Sequence, residues 1–185
     1  MPPGPTMVSE AEVFALAARL GAALTGCGAK VATAESCTGG LIARALTEQP
    51  GSSVWFERGF VTYSNEAKHE MLAVERQALA THGAVSEAVA GAMARGALWR
   101  SRSQLALAVT GIAGPDGGTA DKPVGTVCFG WASAGGELRR ATVRFQGDRA
   151  QVRLQAARHS LAVALELLGK SARMSGPAGQ TSPQD

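Results

Sequence analysis

The chain reads as an α/β domain, with helices on both faces of a mixed β-sheet. Three observations predict this. Short apolar runs of strand length, at 30–34 and 105–110, alternate with segments of helical apolar spacing. Two further strand-like segments, 124–131 and 138–145, are separated by the turn Ala134-Gly135-Gly136-Glu137 and read as an antiparallel hairpin, which makes the sheet mixed. Apolar residues make up 45% of the chain but aromatics only 5%, so Ala, Gly, Val and Leu must fill the core, as in helices packed closely on a sheet.

Each element has its own local warrant. Residues 8–24 carry Val13, Leu16, Ala17, Leu20 and Leu24 at helical spacing, with Gly26 and Gly28 as stops. The strand 30–34 follows, then a helix over 41–46 that ends before Pro50-Gly51. Residues 55–63 alternate and are rich in β-formers. Asn65 is placed to cap a short helix through Ala67, Lys68 and Met71. Ser86 is placed to cap a helix over 87–98, with Ala88, Ala92 and Met93 on its apolar side. The strand 105–110 runs into a glycine-rich loop, the hairpin follows, and Gly147-Asp148-Arg149 opens a long amphipathic helix carrying Val152, Ala156, Leu161, Leu165 and Leu168. The expected domain is 8–170. The Pro-rich 1–7 and the Ser/Gly/Pro/Gln-rich 171–185 read as flexible tails.

Several function classes are excluded at this level. The net charge is only +3, and the basic residues are scattered, with Arg139-Arg140 the one adjacent pair. No basic stripe interleaves with aromatics, so nucleic-acid binding is not indicated, while small anionic substrates suit the charge. Cys27, Cys37 and Cys128 are odd in number and form no CxxC pair, as expected of reduced thiols in a cytoplasmic protein. His69, His82 and His159 share no metal-ligand spacing, so no metal site is expected. No signal peptide and no membrane-spanning run is recognisable.

Four motifs carry possible chemistry. Glu35-Ser36-Cys37-Thr38-Gly39-Gly40 joins a buried strand to a helix. Such a turn can expose a nucleophile and aim free backbone N–H groups at a ligand, although Ser and Thr before a helix also serve as ordinary caps. In Tyr63-Ser64-Asn65-Glu66-Ala67-Lys68, the lysine falls in a first helical turn, where the dipole disfavours a cation; it reads equally as a surface lysine. The loop Thr110-Gly111-Ile112-Ala113-Gly114-Pro115-Asp116-Gly117-Gly118 lets backbone amides approach an anion but lacks the Gly-Lys-Ser/Thr of a P-loop; the other reading is a flexible crossing loop. At Gly147-Asp148-Arg149, Arg149 can clamp a phosphate, or Asp148 can cap the helix beside an exposed arginine.

Together these motifs, with Val85-Ser86 and Lys122-Pro123-Val124-Gly125-Thr126-Val127, resemble the CinA C-terminal-domain family, in order from about Val8 to Leu168. The resemblance implies a three-layer α/β/α fold and a stand-alone domain. It implies a metal-free serine amidohydrolase of Ser/Lys type that converts nicotinamide mononucleotide (NMN) to nicotinate mononucleotide and ammonia in pyridine-nucleotide recycling. Carried over by motif, Ser36 is the nucleophile, Lys68 the general base and Tyr63 an assisting hydroxyl, with no cofactor. Cys37, Thr38, Gly39, Gly40, Asn65, Thr110, Gly111, Gly114 and Arg149 are the expected substrate-binding residues. The expected partners are the small-molecule substrate and a second copy of the chain, in a homo-oligomer read as a dimer.

Two rivals remain in view. Cys37 is intrinsically the better nucleophile, but neighbouring side chains in a tight turn point different ways. A non-catalytic pyridine-nucleotide-binding or competence/damage-related module would use the same glycine loop and Arg149 without a neutral Lys68. A lysine in water titrates near ~10.4, so service as a base near neutral pH needs a depression worth ~4 kcal/mol, more than a helix dipole supplies. Lys68 is therefore expected to be buried, with its amine within reach of Ser36 directly or through Tyr63.

Overall fold

A computed structural model describes residues 7–174. Its elements run α1 (Glu10–Cys27), β1 (Val31–Glu35), α2 (Leu41–Thr47), a 3-10 turn (Ser52–Val54), β2 (Phe56–Val61), α3 (Asn65–Leu72), α4 (Arg76–His82), α5 (Glu87–Trp99), β3 (Leu105–Gly111), β4 (Thr126–Ser133), β5 (Leu138–Arg144) and α6 (Arg149–Met174). The five strands form one sheet in the order β2-β1-β3-β4-β5. The first three are parallel, and β3/β4 and β4/β5 are antiparallel, so the sheet is mixed as expected.

Side-chain size sorts the two faces. On β3, Leu105, Leu107 and Val109 point to one side and meet the apolar stripes of α1, α2 and α6, including Leu20, Leu24, Ile42 and Leu161. Ala106 and Ala108 point to the other side and meet Leu72, Leu79, Val89 and Met93 of α3, α4 and α5. The small residues let α5 lie very close to the sheet. A Cβ at Gly130 would stand 2.3 Å from the Ala90 carbonyl oxygen, so that position tolerates no side chain.

Three local expectations are corrected and one element is added. Ser64, not Asn65, caps α3: its Oγ accepts from the Ala67 N–H at 3.0 Å, and Asn65 is the first helical residue. The first helix ends at Cys27 with Gly28 as its left-handed cap, so Gly26 lies inside it. The helix α4 was not expected; it is a seven-residue element with a single buried residue, Leu79, too little apolar periodicity to read. The backbone of α6 continues to Met174, past the expected tail start at residue 171. The remaining tail expectations, 1–6 and 175–185, lie outside the described residues. At the other end, Val8 is already tied in, its N–H and C=O both bonded to the Gln151 side chain at 2.9 and 3.1 Å.

Candidate active site

The three parallel strands end level with one another. Ser36 extends the β1/β3 ladder through its N–H to the Val109 carbonyl at 2.9 Å, and the Thr62 N–H reaches the Glu35 carbonyl at 2.8 Å. The residues after β1, after β2 and at the end of β3 thus gather at one carboxyl edge. Connections from β1 and β3 leave toward opposite sides there, the switch point where open α/β sheets place ligands. A pocket of about 210 Å³ opens at this edge, lined by Ser36, Cys37, Tyr63, Asn65, Lys68, Ala84, Val85, Thr110, Gly111, Ala113 and Arg149.

Within the pocket, Lys68 Nζ lies 3.1 Å from Ser36 Oγ and donates to the Thr62 carbonyl at 2.8 Å. Lys68 is 1% exposed although it sits in the first turn of α3, because it lies with Leu72 on the one buried face of that helix. Burial pulls its pKa below the ordinary lysine value; the neighbouring Cys37 acts the other way and does not outweigh it. A depressed amine beside a serine hydroxyl is an arrangement that can take the hydroxyl proton.

Cys37 is buried as well, but its surroundings disfavour a thiolate. Burial pushes the thiol up to about 12, despite its own backbone amide and Arg153 nearby. At neutral pH the sulfur is protonated and a poor nucleophile.

Tyr63 does not bridge Lys68 and Ser36, which meet directly. Its ring is 58% exposed, and its hydroxyl accepts from Arg149 Nη2 at 2.8 Å. Arg149 Nη1 donates to the Gly114 carbonyl at 2.8 Å, so the guanidinium spans the pocket rim. At 147–149 Asp148 Oδ1 caps α6, accepting from the Gln151 N–H at 2.9 Å. Thr110 Oγ1 donates to the Ala84 carbonyl at 2.9 Å, which joins the end of β3 to the segment before α5.

Thr38, Gly39, Gly40 and Gly114 are not in the pocket wall. Gly39 and Gly40 adopt φ of 58° and 89°, conformations glycine reaches without strain, and their amides are already used. The Gly39 N–H donates to the Ser36 carbonyl at 2.9 Å, and the Gly40 N–H donates to Glu35.

Two residues that hold the turn were not singled out from sequence. Glu35 is 1% exposed, and its carboxylate accepts from the N–H groups of Gly40, Ile42 and Ala43 at 3.1, 3.1 and 2.8 Å. It thereby caps α2 from inside the sheet, where no side chain of the preceding turn does. Arg153 Nε and Nη2 donate to the carbonyls of Cys37 and Thr38 at 3.2 and 2.8 Å. An acidic residue ending an otherwise apolar strand, and an arginine one helical turn beyond Arg149, were the available signals.

Among the described residues, no cluster of three or more His, Cys, Asp or Glu side chains could hold a metal ion, and no helix is long and apolar enough to cross a membrane.

Comparisons with known proteins follow the same outline. The family model of the CinA C-terminal domain matches residues 13–168. A nicotinamide-nucleotide amidohydrolase PncC of Enterobacter agglomerans is 55% identical over 158 residues, covering 85% of this chain and 96% of that protein. The PncC amidohydrolase of Escherichia coli K12 is 53% identical over 154 residues, covering 83% and 93%. The crystal structure of a competence/damage inducible protein from Agrobacterium tumefaciens superimposes with a TM-score of 0.83 at 48% identity, covering 85% of this chain and 96% of that one.

Proposed function

The chain belongs to the CinA C-terminal-domain family, and on that premise we propose that it hydrolyses the carboxamide of NMN to nicotinate mononucleotide and ammonia. The observation that carries this reading is the buried Lys68 amine 3.1 Å from Ser36 Oγ, inside a pocket at the carboxyl edge of the sheet. The names of the two PncC relatives support the substrate and the reaction.

The neutral Lys68 amine takes the Ser36 proton as Oγ attacks the carboxamide carbon. The carbonyl oxygen becomes an oxyanion, stabilised by backbone N–H groups of the Ser36 turn, an effect of ~3–4 kcal/mol for a good donor. The Lys68 ammonium returns a proton to the departing nitrogen, and ammonia leaves a Ser36 ester. Lys68 then takes a proton from water as the water attacks that ester, and Oγ leaves with the proton regained. Ala84, Val85 and Ala113 offer the apolar wall a pyridine ring needs. Arg149 at the rim is the group suited to the phosphate.

The same reading makes the enzyme a member of a pyridine-nucleotide recycling route in the cytoplasm, where buried free thiols at Cys37 and Cys128 stay reduced. It also keeps a homodimer; Trp99, 77% exposed beside the partly exposed Met71, supports a surface for a second copy. A non-catalytic nucleotide-binding module has no use for a lysine buried against a serine. Incubation of purified protein with NMN tests the proposal. Ammonia and nicotinate mononucleotide in equal amounts are expected, and binding of NMN without release of ammonia would overturn it.

A further inference from the structure

We propose that Lys122 is a positioning residue for substrate affinity: its ammonium pins the end of α4, and with it the wall that Ala84 and Val85 present to the pyridine ring. This rests on the amidohydrolase reading above, which sets the ring against that wall.

Residues 83–86 join α4 to α5 and include Ala84 and Val85, both half-buried in the pocket wall. Among the described residues, neither makes a backbone–backbone hydrogen bond. The segment is held instead by three side chains on three successive carbonyls. Lys122 Nζ donates to the His82 carbonyl at 2.9 Å, Ser86 Oγ to Gly83 at 2.9 Å and Thr110 Oγ1 to Ala84 at 2.9 Å.

The three holds are not equivalent. Ser86 caps α5, which packs on the sheet, and Thr110 ends a core strand. The α4 side has no such support, since that helix buries only Leu79. Its last carbonyls lack helical partners, and a cation at that end also complements the dipole. Lys122 supplies both. Its own base is fixed: its N–H donates to Thr119 Oγ1 at 3.1 Å, and its carbonyl accepts from the Thr119 N–H at 2.9 Å. The 112–125 loop is closed at its root by Gly125 N–H to Ile112 at 2.8 Å and Ile112 N–H to Thr126 at 2.9 Å. Among the described residues, Lys122 makes the one hydrogen bond from that loop to α4, and it forms no ion pair.

Without Lys122, Ser86 and Thr110 keep the α5 side in place while the α4 side loosens. Binding must then order the wall, and that cost falls on affinity. The chemistry is spared, because neither Ser36 nor Lys68 bonds to residues 82–86.

The test measures kcat and KM for NMN and for nicotinamide riboside in wild type, Lys122→Met and Lys122→Arg, with amide hydrogen exchange of the 83–86 segment followed by mass spectrometry. Lys122→Met keeps an unbranched side chain and removes the donor. Its KM is expected to rise roughly tenfold for both substrates, the size of one charge-assisted hydrogen bond, with kcat within about threefold. The 83–86 amides should exchange faster. Lys122→Arg, which keeps a cationic donor, should restore most of the affinity and the protection. If Lys122→Met does not fold, Lys122→Gln carries the test with a smaller rise in KM.

An unchanged KM overturns the inference. So does a KM raised for NMN alone, which would make Lys122 a phosphate ligand. So does a raised KM with unchanged exchange at 83–86, which would make it a direct substrate contact, and so does a loss of kcat with KM intact. Failure of the wild type to release ammonia would sink the amidohydrolase reading itself, a result distinct from all of these.

Discussion

Lys68 Nζ stands 3.1 Å from Ser36 Oγ, although the two residues lie on different elements and only the lysine comes from a helix. Its burial lowers the amine pKa, and this has a signed consequence for activity. The amine acts as a base only when neutral, so kcat/KM should rise with pH to a plateau, with a midpoint below the ordinary lysine value. A pH–rate profile checks this; a rate that falls through that range contradicts it.

The same depression bears on stability. The unfolded chain keeps its lysine proton up to the ordinary pKa, while the folded chain loses it earlier. Wild-type stability therefore gains from this group between the folded and unfolded pKa values, and carries the full cost of the buried charge below both. Lys68→Met removes the titration. Relative to wild type, the variant should be most favoured at neutral pH, and its advantage should shrink as pH rises toward 10.5. Thermal melts of both proteins across that range measure it.

Ser36 and Cys37 both line the pocket and are separated by chemistry. With its thiol pushed up to about 12, Cys37 should resist iodoacetamide at pH 8, while the exposed Cys27 is alkylated. Cys37→Ala should keep substantial activity, and Ser36→Ala should bind NMN without turnover. Peptide mass mapping and steady-state assays give both results; the reverse pattern would move the nucleophile to the thiol.

Glu35 is the internal fastener of the turn. Glu35→Ala leaves the amides of Gly40, Ile42 and Ala43 without their acceptor, each worth about 1–3 kcal/mol when buried. With some water reaching the gap, a loss of about 3–5 kcal/mol is expected. At about 2–4 °C per kcal/mol for a domain of this size, the melting temperature should drop by roughly 10 °C or more. Glu35→Gln, which keeps an acceptor oxygen, should lose less.

Much of this was legible in the sequence because it depended on local pattern. The strands 30–34 and 105–110 are apolar runs that a sheet covered on both faces requires, and the 134–137 turn marks the hairpin by itself. The Ser36 turn was visible as polar residues between a strand and a helix. What stayed hidden depended on distant partners. Glu35 looks like part of a polar motif until α2 folds back over it, and Arg153 is one arginine among many until α6 lies beside the turn. The cap of α3 could not be chosen between Ser64 and Asn65, since both residue types cap well and only backbone geometry decides. Tyr63 could be placed near the site, but not that Arg149 would occupy its hydroxyl.

Arg149 links Tyr63 and Gly114 at the rim, so its removal loosens the rim and removes a cation. Arg149→Ala should raise KM for NMN well beyond its effect on nicotinamide riboside, which lacks the phosphate. A charge-assisted contact is about twice as strong as a neutral hydrogen bond. Equal effects on the two substrates would show that Arg149 shapes the rim without reading the phosphate.

The most direct measurement of the Ser36–Lys68 assignment is ammonia release from NMN by Lys68→Arg. Guanidinium is long enough to reach toward Ser36 and keeps the positive charge, but it cannot give up its proton at working pH. If Lys68 is the base, Lys68→Arg should be nearly as inactive as Lys68→Ala at every accessible pH, with NMN still bound. A Lys68→Arg protein that releases ammonia at a rate near wild type would contradict the assignment.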